Sequence, residues 1–220
     1  MLYESNVRGT ENLLNALLKV KKPRIFVFIS SVSVYGKTSG VLLNEQNSLS
    51  AQDPYGKSKI EAEEIVKNWC DKNNIICTIL RLPLIIGANP LGNLGAMINA
   101  IRNGFYFNIA GGTAKKSMVL ASDIAKFILK AAEVGGTYNL SDGCHPNFNE
   151  LSHLISKQLG NSFVPNMPLF VAKLLAFIGD KIGPVFPINS DKLNKITSTL
   201  TFDDLKAREA FGWDPNPVLK

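Results

Sequence analysis

Two apolar runs constrain this chain more than any other feature. Arg24–Ser30 (RIFVFIS) and Ile75–Arg81 (IICTILR) are almost unbroken in β-branched, aliphatic and aromatic residues. A strand with one wet face would alternate with polar residues. An unbroken run of this length suits a strand covered on both sides, as in a parallel sheet layered by helices. The intervening segment supplies the crossover. Asp53–Pro54 reads as a helix start, with Asp as N-cap and Pro in the first helical position, and the helix runs to about Lys72. Strand, helix, strand makes a βαβ unit with a right-handed crossover, so the fold class is α/β.

The surrounding sequence fits this frame. Val7, Leu13, Leu14, Leu17 and Leu18 fall at helical spacing across 3–19, and a polar loop with Gly36, Gly40 and Gln52 follows the first strand. Beyond residue 82 the pattern predicts helices over 93–104 and 122–134 and near 148–159, 168–182 and 202–210. Short strands are predicted near 105–110, 116–121 and 136–141, divided by turns such as Gly111–Gly112 and Asp142–Gly143.

Composition narrows the function classes. The 24 Lys and Arg against 18 Asp and Glu give a net charge of +6, but the basic residues are scattered, so no nucleic-acid groove is expected. Cys70, Cys77 and Cys144 form no CxxC pair, which fits a reduced, cytoplasmic chain. Cys144, His145 and His153 lack a further ligand at metal spacing, so no metal is expected. Glu4, Arg8 and Glu11 break any leader-like run. The most apolar stretch, 167–187, carries Lys173, Asp180, Lys181 and three prolines. It is too broken to span a bilayer; it reads as an amphipathic helix covering a pocket, and no membrane partner is expected.

The candidate chemistry lies on the predicted crossover helix. Tyr55 and Lys59 are four residues apart and share a helical face. An ammonium beside a phenol favours the phenolate, and such a tyrosine can take or give a hydroxyl proton near neutral pH. Ser30 and Ser31 lie at the carboxyl end of the first strand, where ligands bind in open α/β sheets.

These residues sit in an ordered series of motifs: Asn6-Val7-Arg8-Gly9-Thr10-Glu11-Asn12, Ser30-Ser31-Val32-Ser33-Val34-Tyr35-Gly36, Pro54-Tyr55-Gly56-Lys57-Ser58-Lys59, Arg81-Leu82-Pro83-Leu84-Ile85-Ile86-Gly87, Ser117 to Asp123, and Tyr138-Asn139-Leu140. From residue 6 to residue 140 the chain resembles the extended short-chain dehydrogenase/reductases, in their NAD-dependent epimerase/dehydratase branch. The resemblance implies a partial Rossmann-like parallel sheet with a smaller C-terminal substrate region. Residues 1–90 would be the C-terminal half of the dinucleotide-binding domain. Residues 91–220 would mainly bind substrate, with elements near 116–141 able to return to the sheet.

It also implies roles. Tyr55 would be the catalytic base, Lys59 would hold the nicotinamide ribose and tune Tyr55, and Ser31 would hold the reacting hydroxyl. Asn6, Ser30, Leu82 and Pro83 would join Tyr55 and Lys59 around the cofactor, NAD or NADP. Ser33, Asn93, Leu94 and Lys116 would face the substrate, a nucleoside-diphosphate sugar. Homodimerisation would run through the helices around 3–19 and 54–72. The implied activity is C4 epimerisation, with a keto-sugar or small-ketone reductase as one alternative and a non-catalytic binding protein on a decayed scaffold as another. Val32 and Ser33 stand where related dehydratases carry Asp-Glu, which argues against water elimination. Leu84 stands where many hexose 4-epimerases carry asparagine.

The family begins with a strand, a glycine-rich turn and a helix that cradle the cofactor pyrophosphate. No such element precedes Asn6. The expectation is therefore a fragment without roughly the first three strands of the sheet, whose run Ile25–Ile29 borders an open edge and which on its own does not bind the cofactor.

Overall fold

In the computed structural model, residues 2–88, 90, 92–160, 163–183 and 186–219 are described, apart from the side chain of Asn93. The chain opens with a π-helical turn, Glu4–Arg8, running into α1 (Gly9–Val20). Then come β1 (Ile25–Ser31), a 3-10 turn (Val32–Tyr35), β2 (Gly40–Leu43), α2 (Pro54–Lys72), β3 (Ile76–Leu82) and β4 (Leu84–Ile86). The rest comprises α3 (Gly92–Arg102), β5 (Asn108–Ile109), β6 (Met118–Leu120), α4 (Ala121–Val134), β7 (Gly136–Asn139), α5 (Phe148–Gln158), β8 (Asn166–Met167), α6 (Leu169–Ile182), α7 (Ser190–Thr197), β9 (Leu200–Phe202) and α8 (Leu205–Phe211).

The main sheet has the order β1-β3-β7, with both pairings parallel. Helices cover both faces of its strands, which explains the continuous apolar runs. Phe26 and Phe28 of β1 pack with Cys77 against Leu14 of α1 and Val66 and Cys70 of α2. Val27, on the alternate face, packs with Leu80, Phe127 of α4, Phe211 of α8 and Trp213. The core of this sheet thus draws in residues as late as Trp213, well past the 116–141 segment. Beyond β1 no further strand pairs among the described residues, and Ile29 of this edge strand is 39% exposed.

Several elements differ from the sequence reading. The loop around Gly40 contains β2, which pairs with β9, so the helix expected near 202–210 is shortened to begin at Leu205. The strand expected over 105–110 is two residues long and pairs with β8. These short strands get their stability from long-range pairing, which local periodicity does not report. A second core joins Leu94, Met97 and Ile101 of α3 to Leu151 and Ile155 of α5, with Met118 and Val218. No described helix is long and apolar enough to cross a membrane.

Candidate active site

The site forms where the first turn of α2 rests on the tip of β1. Asp53 caps α2 by accepting hydrogen bonds from the backbone N–H groups of Tyr55 and Gly56, at 3.1 and 3.0 Å. Gly56 then permits a close approach: a Cβ there would lie 2.9 Å from the Ser33 carbonyl oxygen and 2.4 Å from the Ala51 Cβ. A glycine between Tyr55 and Lys57 thus seats the helix directly on the turn that follows β1. One helical turn further on, the Lys59 ammonium donates to the Ile29 carbonyl oxygen at 3.1 Å and lies 5.0 Å from the Phe28 ring centre. Burial pushes the Lys59 pKa down, and the charge of Glu63 partly offsets this. Tyr55 stays 38% exposed at the mouth of this arrangement.

Ser31 caps the 3-10 turn. Its Oγ accepts from the Ser33 amide at 3.2 Å and from the Ser33 hydroxyl at 2.7 Å. Both contacts use lone pairs, so the proton of Ser31 is the one oriented for donation to another group. Ser33 therefore supports Ser31 directly. Asn6 lies in the π-helical turn, a feature frequent at functional sites. Its amide donates to Ser58 Oγ at 3.0 Å, and Ser58 donates to the Tyr55 carbonyl at 2.8 Å, so Asn6 braces the turn that carries Tyr55.

Of the remaining expected residues, Ser30 and Leu82 adjoin this cluster, since Leu82 is the register partner of Ser31 in the β1–β3 pair. The Ser30 hydroxyl turns inward and donates to Glu63 at 2.6 Å. Leu82 is buried in the sheet core and Pro83 follows it at the strand end. The Leu94 side chain packs in the core of α3 and α5, since a buried leucine gains more from apolar neighbours than from a polar ligand. Asn93 lies on the first turn of α3, with its side chain outside the described atoms. The Lys116 amine donates to the Ser198 carbonyl at 2.7 Å, and burial lowers its pKa to about 8.

Beneath the site lies a buried polar network absent from the sequence reading. Glu63, fully buried on α2, accepts from Arg81 Nε and Nη2 at 3.0 and 2.7 Å as well as from Ser30. Arg81 Nη1 donates to the Tyr35 hydroxyl at 3.0 Å, and Tyr35 donates to Asn139 Oδ1 at 2.8 Å. The network ties α2, β1, β3 and β7 together just behind the strand tips. Two signals for it are present in the sequence: Glu63 continues the Tyr55–Lys59 spacing by another four residues, and Arg81 ends an otherwise apolar run.

This layout has counterparts. A family model described as "NAD dependent epimerase/dehydratase family" matches residues 1–141. The chain belongs to this family. It is 32% identical, over 96% of its length, to an Escherichia coli O157:H7 protein named N-acetyl-alpha-D-glucosaminyl-diphospho-ditrans,octacis-undecaprenol 4-epimerase, of which it covers 66%. Over 64% of its length it is 29% identical to UDP-glucose 4-epimerase of Dictyostelium discoideum, covering 46% of that protein. The chain thus spans no more than about two thirds of these two relatives. Its fold matches the crystal structure of UDP-glucose 4-epimerase from Thermotoga maritima with a TM-score of 0.74 at 21% identity, covering 99% of this chain and 66% of that one.

The family's dinucleotide is tested here by donor chemistry. Lys59 brings an ammonium and Ser31 a hydroxyl to one strand tip, and Tyr55 stands on the adjoining first turn of α2, a set that suits the hydroxyls of a ribose and a sugar. These residues fit the nicotinamide end of NAD. The glycine-rich turn that would hold the pyrophosphate is not among these 220 residues.

Proposed function

We propose that the whole protein epimerises a diphosphate-linked sugar at C4, with NAD. The observation that carries this reading is the seating of the Tyr55 turn on the Ser33 carbonyl through Gly56, with Lys59 bonded to the strand at Ile29. Ser31 donates a hydrogen bond to the reacting hydroxyl and fixes its direction. Tyr55 removes the hydroxyl proton and later returns it. Lys59, half-desolvated, holds the ribose. Bound NAD would accept the hydride from C4 and give it back. Val32 carries no proton to assist loss of a hydroxyl, which favours epimerisation over dehydration.

Tyr55→Phe in the whole protein is expected to lower the turnover about 10²- to 10⁴-fold while leaving substrate binding in place. Interconversion is followed by chromatography without added reductant. Full activity in the variant would remove Tyr55 from the mechanism, and consumption of one reductant per turnover would favour a reductase instead.

A second reading concerns the carrier of the sugar. The 32% identical relative is named for a substrate on a polyprenyl diphosphate, and its match extends over 96% of the chain. This supports a lipid-carried sugar as an alternative to a nucleoside-diphosphate sugar. Supplying one sugar on both carriers and comparing kcat/KM decides between them.

A further inference from the structure

The helix α6 is packed inside out. Its inward face consists of Ala172, Ala176 and Gly179, all fully or almost fully buried. Ala172 and Ala176 pack with Ile109, Met167, Ile188 and Leu193. Gly179 lets the chain come very close, for a Cβ there would overlap the Ile188 carbonyl oxygen. The large apolar residues point the other way. Phe170, Leu174 and Phe177 are 75%, 61% and 60% exposed, and their i, i+4, i+7 spacing forms one outward stripe. The expected pocket-covering helix therefore turns its large apolar side chains to the outside. A helix made only to complete a core places its large residues inward, so this stripe is built to meet an apolar phase.

The charges beside the stripe select the kind of phase. Lys181 continues the series at i+11 and lies 5.6 Å from the Phe177 ring centre, and Lys173 is exposed beside Leu174 and Phe177. A dry protein interface covering the full length of the stripe would also have to take in the Lys181 ammonium at its end, which is costly where it is desolvated. At a lipid surface the same residue extends its stem along the acyl boundary and places its ammonium among the phosphates. Asp180, next to Lys181, offsets one of these charges; its carboxylate also accepts from the Ser190 amide and hydroxyl and so ties α6 to α7. α7 adds Lys192 and Lys195, both exposed, against Asp191. The chain as a whole carries +6.

We propose that α6 is an interfacial helix that docks this protein on an anionic membrane surface, with Phe170, Leu174 and Phe177 in the acyl boundary and Lys173 and Lys181 on headgroup phosphates. Docking of this kind needs no spanning helix. It stands on the surface of α6 alone and does not depend on which carrier the sugar has.

The test is flotation of the whole protein on a density gradient with phosphatidylcholine vesicles, with and without phosphatidylglycerol, in the absence of sugar substrate and NAD. The protein is expected to float with the mixed vesicles and to be released as salt rises. The triple variant F170S/L174S/F177S is expected to bind at least about tenfold more weakly with an unchanged circular dichroism spectrum. K173Q/K181Q is expected to lose the preference for phosphatidylglycerol, and it provides a second reading that leaves the apolar stripe intact. The proposal is overturned if the folded wild-type protein stays at the bottom of the gradient. It is equally overturned if the triple variant floats as well as wild type, or if that variant changes only the oligomeric state, which would make a second copy of the chain the occupant. Loss of epimerase activity in Tyr55→Phe with flotation retained would leave this proposal standing, so the two readings fail separately.

Discussion

Helices α2 and α6 both approach their strands through small residues, yet they treat the rest of their surfaces in opposite ways. α2 buries Gly56, Ser58, Ala62 and Glu63, and the polar groups among these have partners within the chain. α6 buries Ala172, Ala176 and Gly179 and leaves Phe170, Leu174 and Phe177 outside. The first helix ties its buried serine and carboxylate into the chain, leaving the buried Trp69 ring nitrogen without a described partner, and thereby fixes the geometry of the strand tip. The second leaves its largest hydrophobic gain to something outside the chain. A catalytic constellation requires the former and a docking surface the latter, so burial alone separates their tasks.

The sharpest way to break this contrast is to unpair α2. Arg81→Met would leave the Glu63 carboxylate buried without its bidentate partner. The expected cost is about 3–5 kcal/mol in urea unfolding, because the buried carboxylate would keep only the more exposed Lys67 ammonium, 3.9 Å away, as counter-charge. Adding Glu63→Leu to that variant is expected to recover most of the loss. A cost below about 1 kcal/mol for Arg81→Met would show that the network does not hold the sheet and helix together.

The next effect probes the close approaches that both helices share. Gly56→Ala places a methyl 2.9 Å from the Ser33 carbonyl oxygen, and Ala176→Leu forces a large side chain into the face packed on Ile109 and Met167. Each is expected to cost about 1–3 kcal/mol by overpacking, although glycine to alanine inside an unobstructed helix stabilises. Only Gly56→Ala is expected to lower activity in the whole protein as well, since it pushes the Tyr55 turn off the strand tip. If the two variants lowered activity equally, Gly56 would have no special part in seating Tyr55.

How much of this was legible beforehand follows the same division. The Asp53–Pro54 start of α2 and the main-sheet strands are set by local chemistry and by helices on both faces, and both leave periodic marks in the sequence. The pairing of Gly40–Leu43 with Leu200–Phe202 leaves none, because the partners are some 160 residues apart and each is only three or four residues long. At the site, Tyr55 and Lys59 are one turn apart and could be read directly from spacing, whereas Glu63, Arg81, Tyr35 and Asn139 meet only after the sheet has formed. The stripe on α6 was visible as apolar residues. Its direction was not, since alanine and phenylalanine both count as apolar, and only packing shows that the small ones went inward.

Lys116 lies between the two extremes, with a half-buried charge whose described partner is a neutral carbonyl on Ser198. Its pKa falls from 10.5 to about 8 because of burial. Between those values the unfolded chain binds more protons than the folded one, so this residue makes stability rise as pH increases through that window. Below about pH 8 both states are protonated and the penalty is present in full. Lys116→Met is therefore expected to be more stable than wild type at pH 7 by something on the order of 1 kcal/mol, after allowance for solvent screening. The advantage should shrink toward pH 10. A difference that stays flat with pH would mean that the hydrogen bond to Ser198, rather than the buried charge, dominates.

The smallest effect on stability is expected where the comparison makes its strongest claim. Phe170 is so exposed in the folded chain that replacing it by serine removes little that folding had buried. The expected change in urea midpoint corresponds to less than about 0.5 kcal/mol, as for surface substitutions away from packed features. An inward-facing phenylalanine of the same size would cost about 3–5 kcal/mol on truncation, so the two orientations are easily told apart. A loss of that larger size for Phe170→Ser would mean that α6 packs against this chain with its large residues after all. The helix would then resemble α2 in packing within the chain, and no surface would be left for a membrane to cover.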